Sequence, residues 1–374
     1  MSLCVAAALG ELSLRLIDFS FPVFYTYDDT VGVALRRGAE GWNRTEGEAH
    51  IKISSDGLRD REHSRKKPPN TVRIAVFGDS MAEALQVPAE ATFWSVVERR
   101  VRECKAFGSR DIEVLNFGVS GYGTAQELLT LRHRASDYEP DVVVLAFYAG
   151  NDVRNNSREL EPMKLRPFFR LEKGALVEDD DFLRDPEYLS FKSTFGTRRM
   201  LFDLRTFQLL RRVRAAMEQR ANGETAAHRA PNAELGLDDK IFVQPASASW
   251  REAWNVTERL IVKMRDEAAA MRARFLLVSI PIGIQANPDP KVRDEYARGV
   301  GATDLFYPDR RLRALGDRDK VDVLLLAAPF QEYAEKNRAY LHGFGNTRLG
   351  SGHLNAKGHQ LAGELISERI CRSR

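Results

Sequence analysis

The chain is poor in cysteine and tryptophan, with three and four among its 374 residues, and it carries little net charge, 56 Lys+Arg against 53 Asp+Glu. Each scarcity excludes something. Cys4, Cys104 and Cys371 are far apart in sequence and odd in number, with no C-x-x-C pair and no histidine at ligand spacing, so neither a disulfide framework nor a zinc site is expected. A formal net charge of +3, with basic and acidic residues interleaved, leaves no electrostatic footprint for nucleic acid. The longest apolar runs, such as Val142 to Ala149, fall short of the roughly 18 to 20 residues that a spanning helix needs. No Walker A motif and no complete G-x-G-x-x-G occurs, so nucleotide binding has no support. No cofactor and no metal is expected.

What is present is an ordinary folded-protein composition, 43% hydrophobic and 29% charged, which excludes disorder of the whole chain. At roughly 150 residues per domain the length allows about two and a half domains, or one α/β domain with insertions. The opening MSLCVAAALGELSLRL is briefly apolar but lacks a basic n-region and an A-x-A cleavage site. It reads either as an amphipathic helix or as the trailing part of a membrane anchor. From Phe19 to about Lys67, glycines, arginines and aromatics with only short alternating stretches, such as His50 to Ser54, predict an extended arm with a few small strands. Residues 1–69 are therefore set apart as an N-terminal arm.

Five apolar runs follow: Val72 to Phe77, Ile112 to Phe117, Asp141 to Phe147, Arg274 to Ile280 and Val321 to Ala327. They lack polar alternation, as strands covered on both faces do. Helical stretches separate them, Glu90 to Arg102 and Thr124 to Arg134 among the first. Ser249 to Arg272 follows, with Ser249 as N-cap and Glu252 completing a capping box, and Ala356 to Ile370 closes the chain. The alternation predicts a three-layer α/β/α domain over 70–374 with a mainly parallel five-stranded sheet. Residues 155–248 interrupt it as a helical insert. There Leu204, Phe207, Leu210, Val213 and Met217 recur at helical spacing within the basic stretch Arg198 to Arg220. The expected arrangement packs that stripe on the body; a lid or a membrane-surface helix is the alternative.

Ligands of open α/β sheets bind at the carboxyl ends of the strands. There the chain places Gly78-Asp79-Ser80, then Gly118-Val119-Ser120-Gly121, then Gly150-Asn151-Asp152, and near the C-terminus His353 with Asn355 and Gly358-His359. These are the parts of acyl transfer. Ser80 can be a nucleophile if a base accompanies it, and His353 can be that base. The N–H groups of Gly121 and Ser80 and the Asn151 amide can be oxyanion donors. Ser120 is a near miss to G-x-S-x-G but stands in the wrong order. His359 is expected to make a structural hydrogen bond and His342 to line the rim. His50, His63, His133 and His228 have no partner pattern.

These four blocks resemble those of the SGNH hydrolases, or GDSL-type esterases and lipases, over Val72 to Asp152 and Arg274 to Arg374. The resemblance implies the flavodoxin-like fold, Ser80 as nucleophile, Gly121 and Asn151 in the oxyanion hole and His353 as general base. The chain departs from the family where an Asp usually precedes the histidine by two or three residues, since Ser351 and Gly350 stand there. An imidazole needs an acceptor on its other nitrogen. Either a backbone carbonyl near Gly350 or a distant carboxylate provides it, and Asp79, Asp152, Asp304 and Glu332 are candidates.

The expectation is a serine esterase acting on short acyl esters, including O-acetyl groups of a glycan. An O-acyltransferase to a sugar hydroxyl and a catalytically inactive carbohydrate-binding protein are the alternatives. A small-molecule or glycan ester, no nucleic acid, and membrane association through the N-terminus complete the expected partners, with an extracytoplasmic or membrane-associated location favoured over a cytoplasmic one. Nothing in the sequence speaks to oligomeric state.

Overall fold

The computed structural model describes residues 2–226 and 237–372; His228 lies outside them. The arm opens with helix α1 (Ser2–Leu16) and continues as two antiparallel hairpins, β1 (Tyr25–Asp28) with β2 (Gly32–Leu35) and β3 (Glu40–Asn43) with β4 (Ala49–Lys52). The body begins with β5 (Thr71–Gly78), the one-turn helix α2 (Ser80–Glu83), α3 (Phe93–Cys104), β6 (Asp111–Asn116), α4 (Thr124–His133), β7 (Val142–Phe147) and the short α5 (Asp152–Asn155). The insert adds a hairpin, β8 (Phe168–Glu172) and β9 (Ala175–Asp179), and helices α6 (Pro186–Arg198) and α7 (Arg205–Ala226). The body then resumes with α8 (Ala248–Ala270), β10 (Arg274–Ser279), α9 (Pro290–Gly299), α10 (Tyr307–Asp319), β11 (Val323–Leu325), α11 (Ala327–Asn337) and α12 (Ala356–Arg372).

The five predicted runs form one parallel sheet in the order β11-β10-β7-β5-β6. Counted along the chain this is 2-1-3-4-5, the flavodoxin-like order. Every residue of β5 and β7 is buried, which is why neither alternates in polarity. Right-handed crossovers in this order put α3 and α12 together on one face and α4 and α8 together on the other. The order reverses between β5 and β7, so the loops leaving those two strands diverge and open a crevice at the sheet's carboxyl edge. Gly78-Asp79-Ser80 and Gly150-Asn151-Asp152 flank that crevice.

Three expectations change in the details. Ser247, not Ser249, caps α8, its hydroxyl accepting from the Trp250 N–H at 3.2 Å. Cys104 and Cys371 form a disulfide, Cα atoms 6.3 Å apart, because α3 and α12 are neighbours although 267 residues separate the cysteines. Sequence distance says nothing about that adjacency. Finally, the insert stripe does not pack on the body. Leu204, Leu210, Val213 and Met217 are exposed, only Phe207 being half-buried, and Arg198 belongs to α6 rather than to α7. Among the described residues no helix is long and apolar enough to cross a membrane.

Candidate active site

Asp79 is the N-cap of α2, its Oδ1 accepting from the Met81 N–H at 2.9 Å. That cap places Ser80 at the first helical position, where a backbone N–H has no partner within the helix. Neither the Ser80 nor the Gly121 N–H finds an acceptor among the described residues. Asp79 Oδ2 accepts from Asn151 Nδ2 at 2.9 Å across the crevice. One amide hydrogen of Asn151 is thereby fixed and the second is left for another acceptor. Gly121 is held from behind. Its carbonyl accepts from Asn155 Nδ2 at 3.1 Å and from the buried Arg166 guanidinium.

Beneath this loop the buried Glu83 carboxyl bonds the Ser120 hydroxyl, the Ser120 N–H at 3.2 Å and the Tyr25 hydroxyl at 2.9 Å. Burial pushes Glu83 up to about 7 despite those bonds and the nearby Arg59. Ser120 is thus tied to α2 from below.

The acceptor for His353 comes from the arm. One Glu46 carboxylate oxygen pairs with His353 Nδ1 and the other accepts the His353 backbone N–H at 3.0 Å. A carboxylate only accepts, so Nδ1 carries the proton and Nε2 is left as the basic nitrogen. Burial alone would raise the Glu46 carboxyl, but the His353 hydrogen bonds and charge outweigh it and hold it below the usual range. The loop between β3 and β4 is fastened for this purpose. Asn346 exchanges two 3.0 Å hydrogen bonds with the Gly47 backbone, and Asn43 donates to the Leu85 carbonyl at 2.9 Å. Gly352 admits the carboxylate: its φ is +83°, and a Cβ there would stand 2.5 Å from Glu46 Oε1.

None of the four carboxylates expected from sequence fills this place. Asp79 is the cap and holds Asn151, and burial pushes its carboxyl above the usual range despite those hydrogen bonds and the His353 charge. Asp152 is buried, accepts from the Tyr148 N–H at 2.8 Å, and is pushed well up by burial and by Glu127. Asp304 pairs with Arg310 at 2.7 Å, and Glu332 is exposed on α11. The carbonyl alternative near Gly350 is likewise not the one realised. The residue that the sequence reading missed lies 307 positions before its partner, and the Gly-rich tip of a predicted small-stranded arm was its only signal.

His342 does not line the rim. It is buried beneath it, bonded through Nε2 to the Pro281 carbonyl at 3.0 Å, and burial lowers it to about 4. His359 makes the structural bond expected, accepting from the Phe93 N–H at 3.2 Å. His353 and Ser120 open onto a cleft of about 610 Å³ whose walls come from the arm (Phe21, Phe24, Tyr25, Trp42, Arg44), from Leu85 and Gln86, and from α7. Among the described residues no cluster of three His, Cys, Asp or Glu could hold a metal ion.

No protein-family model and no curated protein matches the chain. Among solved structures, it is similar to an acetyl xylan esterase, AlAXEase, at 15% identity over 80% of this chain and 99% of that one, with a TM-score of 0.41. TesA (14% identity, 80% and 98% covered, TM-score 0.38) and a lipase/acylhydrolase from Enterococcus faecalis (14%, 80% and 95%, TM-score 0.39) are further matches. Likenesses this distant say nothing of the activity of this chain.

Proposed function

We propose that the chain is a serine ester hydrolase with Ser80 as nucleophile, His353 as general base and Glu46 as the acid that orients it. The observation that carries this reading is the Glu46–His353 pair, which gives the histidine the tautomer a general base requires. Ser80 Oγ attacks the ester carbonyl carbon while His353 Nε2 takes its proton. The carbonyl oxygen, now an oxyanion, is received by the Ser80 and Gly121 N–H groups and by the second Asn151 amide hydrogen. His353 returns the proton to the departing alcohol, and an acyl-enzyme remains. Water, losing a proton to Nε2, attacks the acyl carbon, and as the acid departs His353 returns that proton to Ser80 Oγ.

An acetyl group would fill a small part of the cleft, so the rest suits the alcohol portion of the ester. Its aromatic walls with interspersed Arg44, Asn43 and Gln86 favour a glycan. The Cys104–Cys371 disulfide supports an extracytoplasmic location, where such a bond persists. The test is hydrolysis of p-nitrophenyl acetate together with labelling by a fluorophosphonate probe. Ser80→Ala should abolish both while leaving the melting temperature in place. Undiminished turnover in that variant would remove Ser80 from the mechanism.

A further inference from the structure

Exposed apolar side chains are distributed unevenly. Of the nineteen large ones among the described residues, fifteen lie in the arm or the insert, although these regions are the smaller part of the chain. Two helices concentrate them. On α1, Val5, Leu9, Leu12 and Leu16 recur at intervals of four, three and four residues, which is one helical face, and they are 54%, 59%, 54% and 78% exposed. On α7, Leu209, Val213 and Met217 recur every four residues and are exposed as well.

The two helices touch. Glu11 of α1 accepts from the Arg205 and Thr206 N–H groups at the start of α7, at 3.0 and 2.9 Å. The contact uses polar groups and leaves both apolar stripes uncovered.

Charge selects the partner. α7 carries five Arg against two Glu. At about 100° per residue, Arg212 and Arg214 fall on either side of the Leu209–Val213–Met217 stripe. Arg212 lies over the Phe19 ring, and among the described residues Arg214 makes an exposed pair with Glu218, which solvent and competing anions weaken. A second copy of the chain would bring to this face a helix with the same excess of arginine over glutamate, which like charge disfavours. An apolar stripe flanked by arginines, on a helix that as described is not long and apolar enough to cross a membrane, is the pattern of a helix lying in a lipid interface.

We propose that the α1–α7 pair docks the chain on an anionic bilayer surface, its two apolar stripes among the acyl chains and Arg212 and Arg214 at the headgroups. Arg212, Ala215 and Ala216 of α7 also line the cleft at His353, so docking sets that cleft beside the membrane with Arg212 at its mouth. The docking stands independently of the reaction proposed above.

The test is co-sedimentation of the full chain with vesicles of phosphatidylcholine alone or with about one third phosphatidylglycerol. Binding should be at least about tenfold tighter to the anionic vesicles and should weaken at about 1 M salt, where the Debye length falls to about 3 Å. The double variants Leu9→Glu/Leu12→Glu and Val213→Glu/Met217→Glu should each lose about tenfold or more in vesicle affinity with an unchanged melting temperature. Failure of the unaltered chain to bind anionic vesicles overturns the proposal. So does full binding by both double variants, or a loss of self-association in them at unchanged vesicle affinity, which would assign the stripes to a second copy.

Discussion

The sheet body and the arm contribute to the same rim by different means. The body delivers Ser80, Gly121 and Asn151 from the ends of three consecutive strands, each within a few residues of the strand that aims it. The order of those strands opens the crevice between them. The arm delivers Glu46 from the tip of a hairpin that belongs to no part of the sheet, fastened beside the cleft by Asn346 and by the Leu85 carbonyl. The placement of the proposed nucleophile and oxyanion donors follows from strand topology. The partner of the proposed base is free to come from any segment that reaches Nδ1, and in this chain Glu46, from a segment outside the sheet, pairs with it.

The comparison breaks first at Glu46. Glu46→Gln should lower kcat for p-nitrophenyl acetate by about 10³- to 10⁴-fold with little change in KM, as expected when the acid of a triad becomes an amide. If steady-state kinetics show less than a tenfold change, the arm is a wall of the cleft and nothing more. Gly352→Ala attacks the same pair from the other side and should cost activity through the displaced carboxylate. On the body's side, Asn151→Ala should lose about 2.7 to 4 kcal/mol of transition-state stabilisation, read as a fall in kcat rather than a rise in KM. An equal loss in substrate affinity would assign Asn151 to ground-state binding.

Two smaller effects separate fold from chemistry. Cys104→Ser/Cys371→Ser should destabilise the α3–α12 layer by about 2 to 4 kcal/mol in urea melts while kcat is retained. Parallel loss of kcat under native conditions would tie that layer to the rim. Glu83 gives a pH signature. Its folded pKa, about 7, lies above its usual 4.5, so between those values the native state binds more protons and stability falls as pH rises. Glu83→Gln should flatten that fall, by at most about 3 kcal/mol. A slope that persists unchanged would mean that other groups produce it.

The strands and their rim residues were legible in the sequence because they are local. A run such as Val142 to Phe147 is buried on both faces and so reads as continuous hydrophobic residues, and a turn at its end carries Asn151 within a few positions. Glu46, the Cys104–Cys371 pair and the outward stripe of α7 were not legible, since each depends on which distant segments become neighbours. The insert stripe misled for a physical reason. Helical periodicity reports that one face is apolar, and it is silent on whether protein, lipid or solvent meets that face.

The central claim is that the Glu46 carboxylate fixes the proton of His353 on Nδ1. Nitrogen and proton NMR of the labelled imidazole tests it directly. The unaltered chain should show a downfield Nδ1–H proton and an unprotonated Nε2, and Glu46→Ala should lose that proton signal while Asp79→Asn retains it. An Nε2–H tautomer in the unaltered chain, or the same Nδ1–H signal in Glu46→Ala, would contradict the account.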